Sequence, residues 1–260
     1  GGWYLERHGY ILLCRIADAF NLVDAPSHRK LQKQAVPLVG GIGIYLILTA
    51  CWLWLHQQGA SHLRPLFVCL TTLFLVGLAD DKEGLSAKAR LFIHINIALI
   101  LCIDGYRLQT LYGLFGIGTL PELVQYPLSM LLIVAGINAF NLIDGMDGLL
   151  GTLLLFAAGL MTLAFAYLGE SDLMLLSAAL TGGIIAFLPH NLFNARLYMG
   201  AAGSTMAGCL VTVLALSLWD MPLAHLEGLH LISPLVLLVP LADMTRVVLL
   251  RLWWGKSPFE

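Results

Sequence analysis

Charged side chains are scarce in this 260-residue chain: they make up 12% of the sequence, whereas hydrophobic residues make up 59%. Soluble proteins carry about 25% charged residues, and the mean hydropathy of +0.84 also lies on the apolar side. The composition excludes an ordinary soluble domain and predicts an integral membrane protein. The net charge of −2 lacks the basic excess that nucleic-acid binding requires, so no nucleic-acid partner is expected.

Cysteine pairs are also absent, which excludes two kinds of site. No two cysteines form a CxxC motif and each lies in an apolar stretch, so the sequence predicts neither a disulfide framework nor a zinc site. In such surroundings cysteine behaves as a small hydrophobic residue. We interpret all five in this way: Cys14, Cys51, Cys69, Cys102 and Cys209.

Apolar stretches recur along the whole chain. About 20 helical residues cross the hydrocarbon core of a bilayer, and eight stretches approach that length: 36–55, 63–79, 90–103, 125–143, 149–168, 173–193, 203–219 and 231–250. Tyr10 to Phe20 is interpreted as the end of a preceding helix, because it lacks the flanks of a signal peptide. The sequence predicts an all-α, polytopic membrane helix bundle that forms one transmembrane domain over residues 1–260.

Lysine and arginine divide sharply between alternate loops. Cytoplasmic loops retain positive charge. One set of loops holds only Arg64 and Arg107, whereas the other holds Arg29, Lys30, Lys33, Lys82, Lys88, Arg90, Arg196, Arg251 and Lys256. We predict that the basic set is cytoplasmic. The same loops carry the candidate acids Asp80, Asp81, Asp144 and Asp147.

Two of these loops combine charge with a predicted helix end. In loop 24–43, basic residues precede the Gly40–Gly41 pair, an arrangement that suits phosphate binding at a helix start; ordinary positive-inside residues are the favoured alternative. Loop 77–90 begins with the paired acids Asp80 and Asp81. Paired carboxylates beside a phosphate call for a divalent cation, normally Mg²⁺, and a solvated charged loop is the equal alternative.

The sequence NAFNLIDGMDGLLG, residues 138–151, places amides and carboxylates beside an apolar stretch. Asn138, Asn141 and Asp144 recur at i, i+3 and i+6 and therefore share a helix face, and Asp147 follows after a turn. A carboxylate near lipid is costly without a partner, and these side chains suit a nucleotide or a metal ion. We predict a ligand site here, in preference to asparagines that only join helices.

Three further features are less specific. The segment 189–208 contains YMGAAGS, whose small residues alone indicate only close helix packing. His94 is interpreted as an interhelical histidine with a hydrogen-bond partner, not as a catalyst. Asp243 has two alternatives: it faces the same cavity as the other acids, or it pairs with Arg246 one turn later.

In their order along the chain, HRKxxxxxVPLVGG, DDKEGLSAKAR, NAFNLIDGMDGLLG and YMGAAGS resemble the polyprenyl-phosphate N-acetylhexosamine-1-phosphate transferases. The resemblance spans nearly the whole chain and is strongest to the bacterial undecaprenyl-phosphate N-acetylglucosamine branch, a cousin of the phospho-MurNAc-pentapeptide transferases. It implies ten or eleven helices in the bacterial inner membrane and an active site on the cytoplasmic side.

The resemblance also implies a reaction. A Mg²⁺-dependent phosphoglycosyltransferase, with Mn²⁺ as an alternative metal, would transfer GlcNAc-1-phosphate from UDP-GlcNAc to undecaprenyl phosphate and release UMP. The product would start the synthesis of O-antigen, enterobacterial common antigen or a related envelope glycan. Another UDP-sugar donor and a homodimer are open alternatives.

Roles for single residues follow from the same resemblance. Catalysis falls to the four acids Asp80, Asp81, Asp144 and Asp147, of which the first three also serve as metal ligands. Substrate binding falls to Lys33, Asn138, Asn141 and Arg196. Lys33 matches a position that approaches the acceptor phosphate.

Two departures from the family pattern are visible. The family motif MGDxGS carries an aspartate that binds Mg²⁺, and the matching residue here is Ala201; we therefore predict an inactive variant with an intact fold. The family also continues beyond the PFE sequence into a histidine motif and further helices. The stretch between Asn194 and Met199 is also shorter than the family pattern, and Tyr10 to Phe20 would be only the end of a first helix. Residues are therefore expected to be missing after Glu260, between Asn194 and Met199, and in the N-terminal helix.

Two other classes of function stay open. A non-catalytic homologue would bind lipid or nucleotide without turnover. An ion-coupled transporter would line a path with intramembrane Asp and Asn, but the acids cluster at one face and no internal repeat is evident, so this class is disfavoured.

Overall fold

Eight α-helices make up most of the structure, a computed structural model that describes residues 23–24, 36–192, 195–221 and 227–257. The helices are α1 (Gly40–Gln57), α2 (Arg64–Glu83), α3 (Ala87–Ile103), α4 (Glu122–Ile143), α5 (Leu149–Leu168), α6 (Ser171–Asn191), α7 (Gly200–Asp220) and α8 (Ile232–Trp253). Short 3₁₀ turns cover Ser61–Leu63, Leu114–Gly116 and Glu227–Leu231. Each of the eight predicted stretches overlaps one of these helices, most of which extend a few residues beyond the predicted ends.

A two-residue strand pair is the exception to the all-α prediction. Strand β1 (Val23–Asp24) pairs antiparallel with β2 (Val36–Pro37), and Val23 lies opposite Pro37. The pair brings the two ends of the basic loop together. Its intervening residues, which include the predicted acceptor-binding Lys33, lie outside the described residues.

Five of the helices are long and apolar enough to cross a membrane. They cover Ser61–Glu83, Glu122–Ile143, Leu149–Leu168, Ser171–Asn191 and Gly200–Asp220. The third predicted span is short, since α3 has 17 residues. A polytopic membrane bundle fits these helices.

Local signals in the sequence set both ends of α2 and the short connection between α2 and α3. Pro65 occupies the first turn of α2, where its missing N–H costs nothing. The helix ends at Gly84, whose φ of +69° is the left-handed conformation that glycine tolerates. The next helix starts after Ser86, whose Oγ accepts a hydrogen bond from the Ala89 amide at 3.2 Å. Asp80 at the end of α2 and Arg90 in α3 are therefore held close together.

Helix α7 is the central element of the bundle. It contacts α1, α2, α4, α5, α6 and α8, and every residue from Ala202 to Leu216 is buried. Small residues allow this close packing: a Cβ on Gly41 of α1 would lie 2.5 Å from Gly203, and a Cβ on Gly77 of α2 would overlap the backbone of Ala202. The N-terminal turn of α7 is consequently enclosed by its neighbours.

The helices alternate in direction, which gives the bundle two ends. We call the end where α1, α3, α5 and α7 begin the site face, and the opposite end the far face. At the far face, the loop after α3 is fastened to the last turn of α7: Asp220 accepts a hydrogen bond from the Gln109 amide at 3.0 Å, and Trp219 Nε1 donates to Thr110 O at 2.7 Å. This loop covers the end of the central helix.

The described cations divide between the two faces as the loop count predicted. Lys82, Lys88 and Arg90 flank the connection between α2 and α3 at the site face, and Arg196 lies in the loop before α7. Arg64 and Arg107 lie at the far face. That the site face is cytoplasmic stays a prediction.

Candidate functional site

Polar segments from four parts of the chain meet around the N-terminus of α7. The segment before this helix is tied to the start of α1: the amides of Gly40 and Gly41 donate to the carbonyls of Tyr198 and Met199, each at 3.0 Å, and the Tyr198 amide donates to Pro37 O at 2.9 Å. Both glycine amides therefore already donate to protein carbonyls and are not free to bind a phosphate. The glycine pair instead allows α1 to pack closely against α7. The interpretation of Gly40–Gly41 as a phosphate-binding helix start is therefore wrong for these amides.

Asp81 joins the end of α2 to the start of α7. Its Oδ1 accepts a hydrogen bond from the Ala201 amide at 2.8 Å, and its Oδ2 accepts one from the Ala202 amide at 3.1 Å. A carboxylate at a helix N-terminus satisfies amides that have no partner within the helix and interacts favourably with the helix dipole. Asp81 is therefore the N-terminal cap of the central helix.

Asp80, the other member of the acid pair, faces α3. Its Oδ2 pairs with Arg90 Nη1 at 2.9 Å, its Oδ1 accepts from the Leu85 amide at 2.7 Å, and its side chain is only 9% exposed. A cavity of about 10 Å³, enough for one water molecule, lies beside this ion pair. Among the residues that line this cavity are four polar ones and Ala201, which occupies the position of the family's metal-binding aspartate: Asp80, Arg90, His94, Thr205 and Ala201.

The asparagine block faces two different helices. Asn138 Nδ2 lies 3.2 Å from His94 Nδ1 of α3 and donates to Val134 O at 2.7 Å. Asn141 Oδ1 lies 2.9 Å from Ser204 Oγ in the first turns of α7. The interhelical interpretation of His94 is thus confirmed. The asparagines also join helices, the role that the sequence pattern makes the less favoured of the two.

The two aspartates of this block lie in the connection between α4 and α5. Asp144 is the C-cap residue of α4 and is half-buried. Asp147 lies on the surface, where its Oδ2 accepts from the Ala195 amide at 3.1 Å and its Oδ1 accepts from the Tyr198 hydroxyl at 2.9 Å. Asp147 thereby ties this connection to the segment before α7.

Asn191, at the end of α6, is a site residue that sequence reasoning missed. It is 2% exposed, its Oδ1 accepts from the Gly148 amide at 3.0 Å, and its Nδ2 donates to Leu197 O at 2.9 Å. One side chain therefore connects the start of α5 to the segment before α7. The signal for it was one of two Asn residues within PHNLFN, which does not distinguish this bridge from a surface amide.

The described residues do not assemble a metal site. Among them, no three His, Cys, Asp or Glu side chains converge closely enough to hold a metal ion. Asp81 caps α7, Asp80 pairs with Arg90, and Ala201 has no side-chain oxygen. This donor set does not fit the Mg²⁺ site that the sequence predicted, and the roles of Asp80, Asp81 and Asp144 as metal ligands stay predictions.

Two candidate residues remain, Arg196 and Asp243. Arg196 is exposed in the segment before α7. Asp243 pairs with Arg246 Nη2 at 2.6 Å on the surface of α8, so the second of its two alternatives, the local ion pair, is confirmed.

A large apolar groove runs along α8. Its volume is about 1080 Å³, and side chains of α4, α7, α8 and the far-face loop line it. Trp219 and Leu111 lie at its far-face end, whereas Arg246 and Trp253 lie toward the site face. A groove of this length and apolar lining suits a hydrocarbon chain.

Comparison with known proteins gives consistent matches over almost the whole chain. The family model described as glycosyl transferase family 4 matches residues 63–219. The undecaprenyl-phosphate alpha-N-acetylglucosaminyl 1-phosphate transferase of Yersinia pestis is 32% identical over 99% of this chain and 72% of its own length. The enzyme of the same name from Escherichia coli K12 is 30% identical over 95% of this chain and 68% of its own length. A probable undecaprenyl-phosphate N-acetylglucosaminyl 1-phosphate transferase of Bacillus subtilis has the same identity and coverage. The chain therefore belongs to glycosyl transferase family 4.

Proposed function

We propose that this chain binds undecaprenyl phosphate, which the names of its relatives include, together with UDP-GlcNAc as the donor, and that Ala201 makes it inactive in transferring GlcNAc-1-phosphate between them. The observation that carries the proposal is the meeting of four polar segments around the start of α7, next to Ala201. They contain the described parts of the four motifs on which the resemblance to the polyprenyl-phosphate transferases rests, with residues 36–41 for the first.

The reaction of an active member would exchange one phosphoanhydride for another. An oxygen of the lipid phosphate would attack the β-phosphorus of UDP-GlcNAc, and the bond from this phosphorus to the bridging oxygen would break, so that UMP leaves. Two anions must approach each other, and charge stabilisation and positioning dominate catalysis of such transfers. In this chain, Arg90 is a cation at the polar centre, and Asp80 holds it from α2.

The apolar groove along α8 offers the acceptor lipid a suitable place. The apolar groove along α8 would receive the isoprenoid chain, because burying apolar surface is favourable and the groove lining is almost entirely apolar. The phosphate head would then lie at the site face. A bulky residue in the groove should weaken lipid binding, so we expect Leu238→Trp, which narrows the groove, to bind undecaprenyl phosphate less tightly. Leu235→Trp is the matched control, because Leu235 is an exposed leucine of the same helix that does not line the groove.

Ala201 supports the inactive assignment. The resemblance puts a metal-binding aspartate at this position, and the described residues around it do not form a metal-binding group. The residues that are present hold the protein segments of the site in place. Asp81 caps the first turn of α7, and Asn191 and Asp147 connect the loop between α4 and α5 to the segment before α7.

The test compares turnover of this chain with that of Ala201→Asp. Radiolabelled UDP-GlcNAc is incubated with each protein, undecaprenyl phosphate and saturating Mg²⁺ or Mn²⁺, and lipid-linked label is counted. We expect label only with Ala201→Asp, because the added carboxylate supplies the absent ligand. Ala201→Ser is the control for a small polar side chain without charge and should stay inactive.

Other outcomes separate the alternatives. Equal, substantial turnover by this chain and by Ala201→Asp would show that the alignment at this loop or its metal role is wrong. Binding of both substrates with no label from either protein would favour a non-catalytic binding homologue, for which Ala201 and the incomplete donor set are the supporting observations. Absence of both binding and label would contradict the proposed function.

A further inference from the structure

His94 lies at the contact between α3 and α4, next to the asparagine block. It is 2% exposed, and its Nδ1 is 3.2 Å from Asn138 Nδ2. The other neighbour of Asn138 Nδ2 is the Val134 carbonyl, at 2.7 Å. A carbonyl oxygen only accepts hydrogen bonds, so the nitrogen of the Asn138 amide, and not its oxygen, must face Val134.

This orientation determines the state of the histidine ring. One N–H of the Asn138 amide donates to Val134 O, and the second is available to His94 Nδ1. A ring nitrogen that accepts a hydrogen bond carries no proton, so the ring proton of a neutral His94 lies on Nε2. His94 also lines the small cavity beside Asp80 and Arg90.

The same geometry determines what Asn138 can offer to a ligand. Both of its N–H groups are directed at protein acceptors, and among the described residues none donates a hydrogen bond to its Oδ1. The side chain is half-buried, and it lies one turn before Asn141, which contacts the start of α7. Oδ1 is therefore the side-chain atom of Asn138 that can accept a hydrogen bond from a ligand or contact a cation.

We infer that His94 is a positioning residue: it fixes the Asn138 amide so that the carbonyl oxygen is presented to the ligand. The ligand group at this position must then be electron-poor, either an N–H or O–H donor or a cation. The identity of the ligand rests on the proposed function, but the positioning of Asn138 by His94 does not. A phosphate oxygen, which only accepts, does not fit this position.

The first test needs no ligand. The full chain is labelled with ¹⁵N-histidine, and its ring nitrogen shifts are measured by NMR in lipid nanodiscs; the His94 signals are those absent from His94→Gln. We expect a neutral ring with the proton on Nε2 in the wild-type chain. A ring protonated on Nδ1, or a charged ring at neutral pH, would overturn the inference.

The second test is a double-mutant cycle on UDP-GlcNAc binding, measured by calorimetry. His94→Leu should weaken binding about fivefold, the value of roughly one hydrogen bond, and His94→Gln should restore it because the Gln Oε1 can accept from Asn138. If His94 acts through Asn138, His94→Leu adds no further loss in the Asn138→Ala background. Additive losses would contradict a positioning role.

Controls separate this inference from folding and from the proposed function. Asn96→Ala, on the exposed side of α3, removes an amide that also donates to the carbonyl four residues earlier, and it should leave binding unchanged. If His94→Leu weakens binding equally in EDTA and in Mg²⁺, the group at Oδ1 is an N–H or O–H donor; a loss confined to Mg²⁺ identifies a cation. If the wild-type chain binds no UDP-GlcNAc, the proposed function fails, and the NMR result alone decides the role of His94.

Discussion

Asp81 should contribute more to stability than to chemistry in this chain. Its two carboxylate oxygens cap the first amides of α7 at 2.8 and 3.1 Å, and α7 is the helix that the others surround. Hydrogen bonds to a charged group contribute about 1.5 kcal/mol each at the lower end of the measured range. Asp81→Ala should therefore cost about 3 kcal/mol. Asp81→Asn keeps one acceptor oxygen and loses the charge, so it should cost about half as much.

The assay is thermal unfolding of the purified protein in one detergent. For a chain of this size, 1 kcal/mol shifts Tm by about 2–4 °C, so we expect a fall of about 9 °C for Asp81→Ala and about 4 °C for Asp81→Asn. Asp243→Asn is the matched control, because it breaks an exposed ion pair with Arg246, and such pairs contribute less than about 1 kcal/mol. Equal Tm values for Asp81→Ala and Asp243→Asn would refute the assignment of Asp81 as the cap of α7.

Three further changes test the packing and the connections. Gly41→Ala should lower Tm, because its Cβ would meet Gly203, whereas Gly43→Ala in the same helix projects into open space and should be neutral or stabilising by up to about 1 kcal/mol; equal effects would contradict the close approach of α1 and α7. Tyr198→Phe removes the hydroxyl that donates to Asp147 and should lower stability by about 1 kcal/mol, measured by thermal unfolding; no change would mean that this bond is not made. Asp220→Ala should speed hydrogen exchange of the Gln109 amide at the far face without changing nucleotide affinity, and an unchanged exchange rate would contradict the fastening of the far-face loop.

The sequence predicted the helices well because their signals are local. Apolar length predicted eight helices, and the alternation of spans correctly placed the polar loops at one end. The predicted ends of the second and third stretches, 79 and 90, fell short of the observed boundaries at Gly84 and Ser86, because polar residues close both helices and hydropathy does not detect them. Hydropathy cannot distinguish a helix that faces lipid from one that faces other helices. The central position of α7 was therefore not predicted, although its run of small residues indicated close packing.

The partners of the polar side chains were harder to predict. Asp80 and Asp81 are adjacent in sequence, and the pattern suggested a joint role. The helix turns by about 100° between neighbours, so one carboxylate faces Arg90 of α3 and the other faces the amides of α7. Asn191 and Ser204 were missed because their partners are backbone groups or side chains of distant segments, and no local pattern encodes such contacts.

The central position of α7 has a consequence for biogenesis. Helices enter the membrane in chain order, so α1 to α6 are synthesised before the helix that they surround, and the glycine faces of α1 and α2 lack their final neighbour until residues 200–220 have been made. The candidate site is affected most, because the amide that Asp81 caps and the hydroxyl that contacts Asn141 both belong to α7. Nascent chains that stop before Gly200 would therefore hold most of the signature residues but lack the α7 partners of Asp81 and Asn141, so the site can assemble only after α7 has been made.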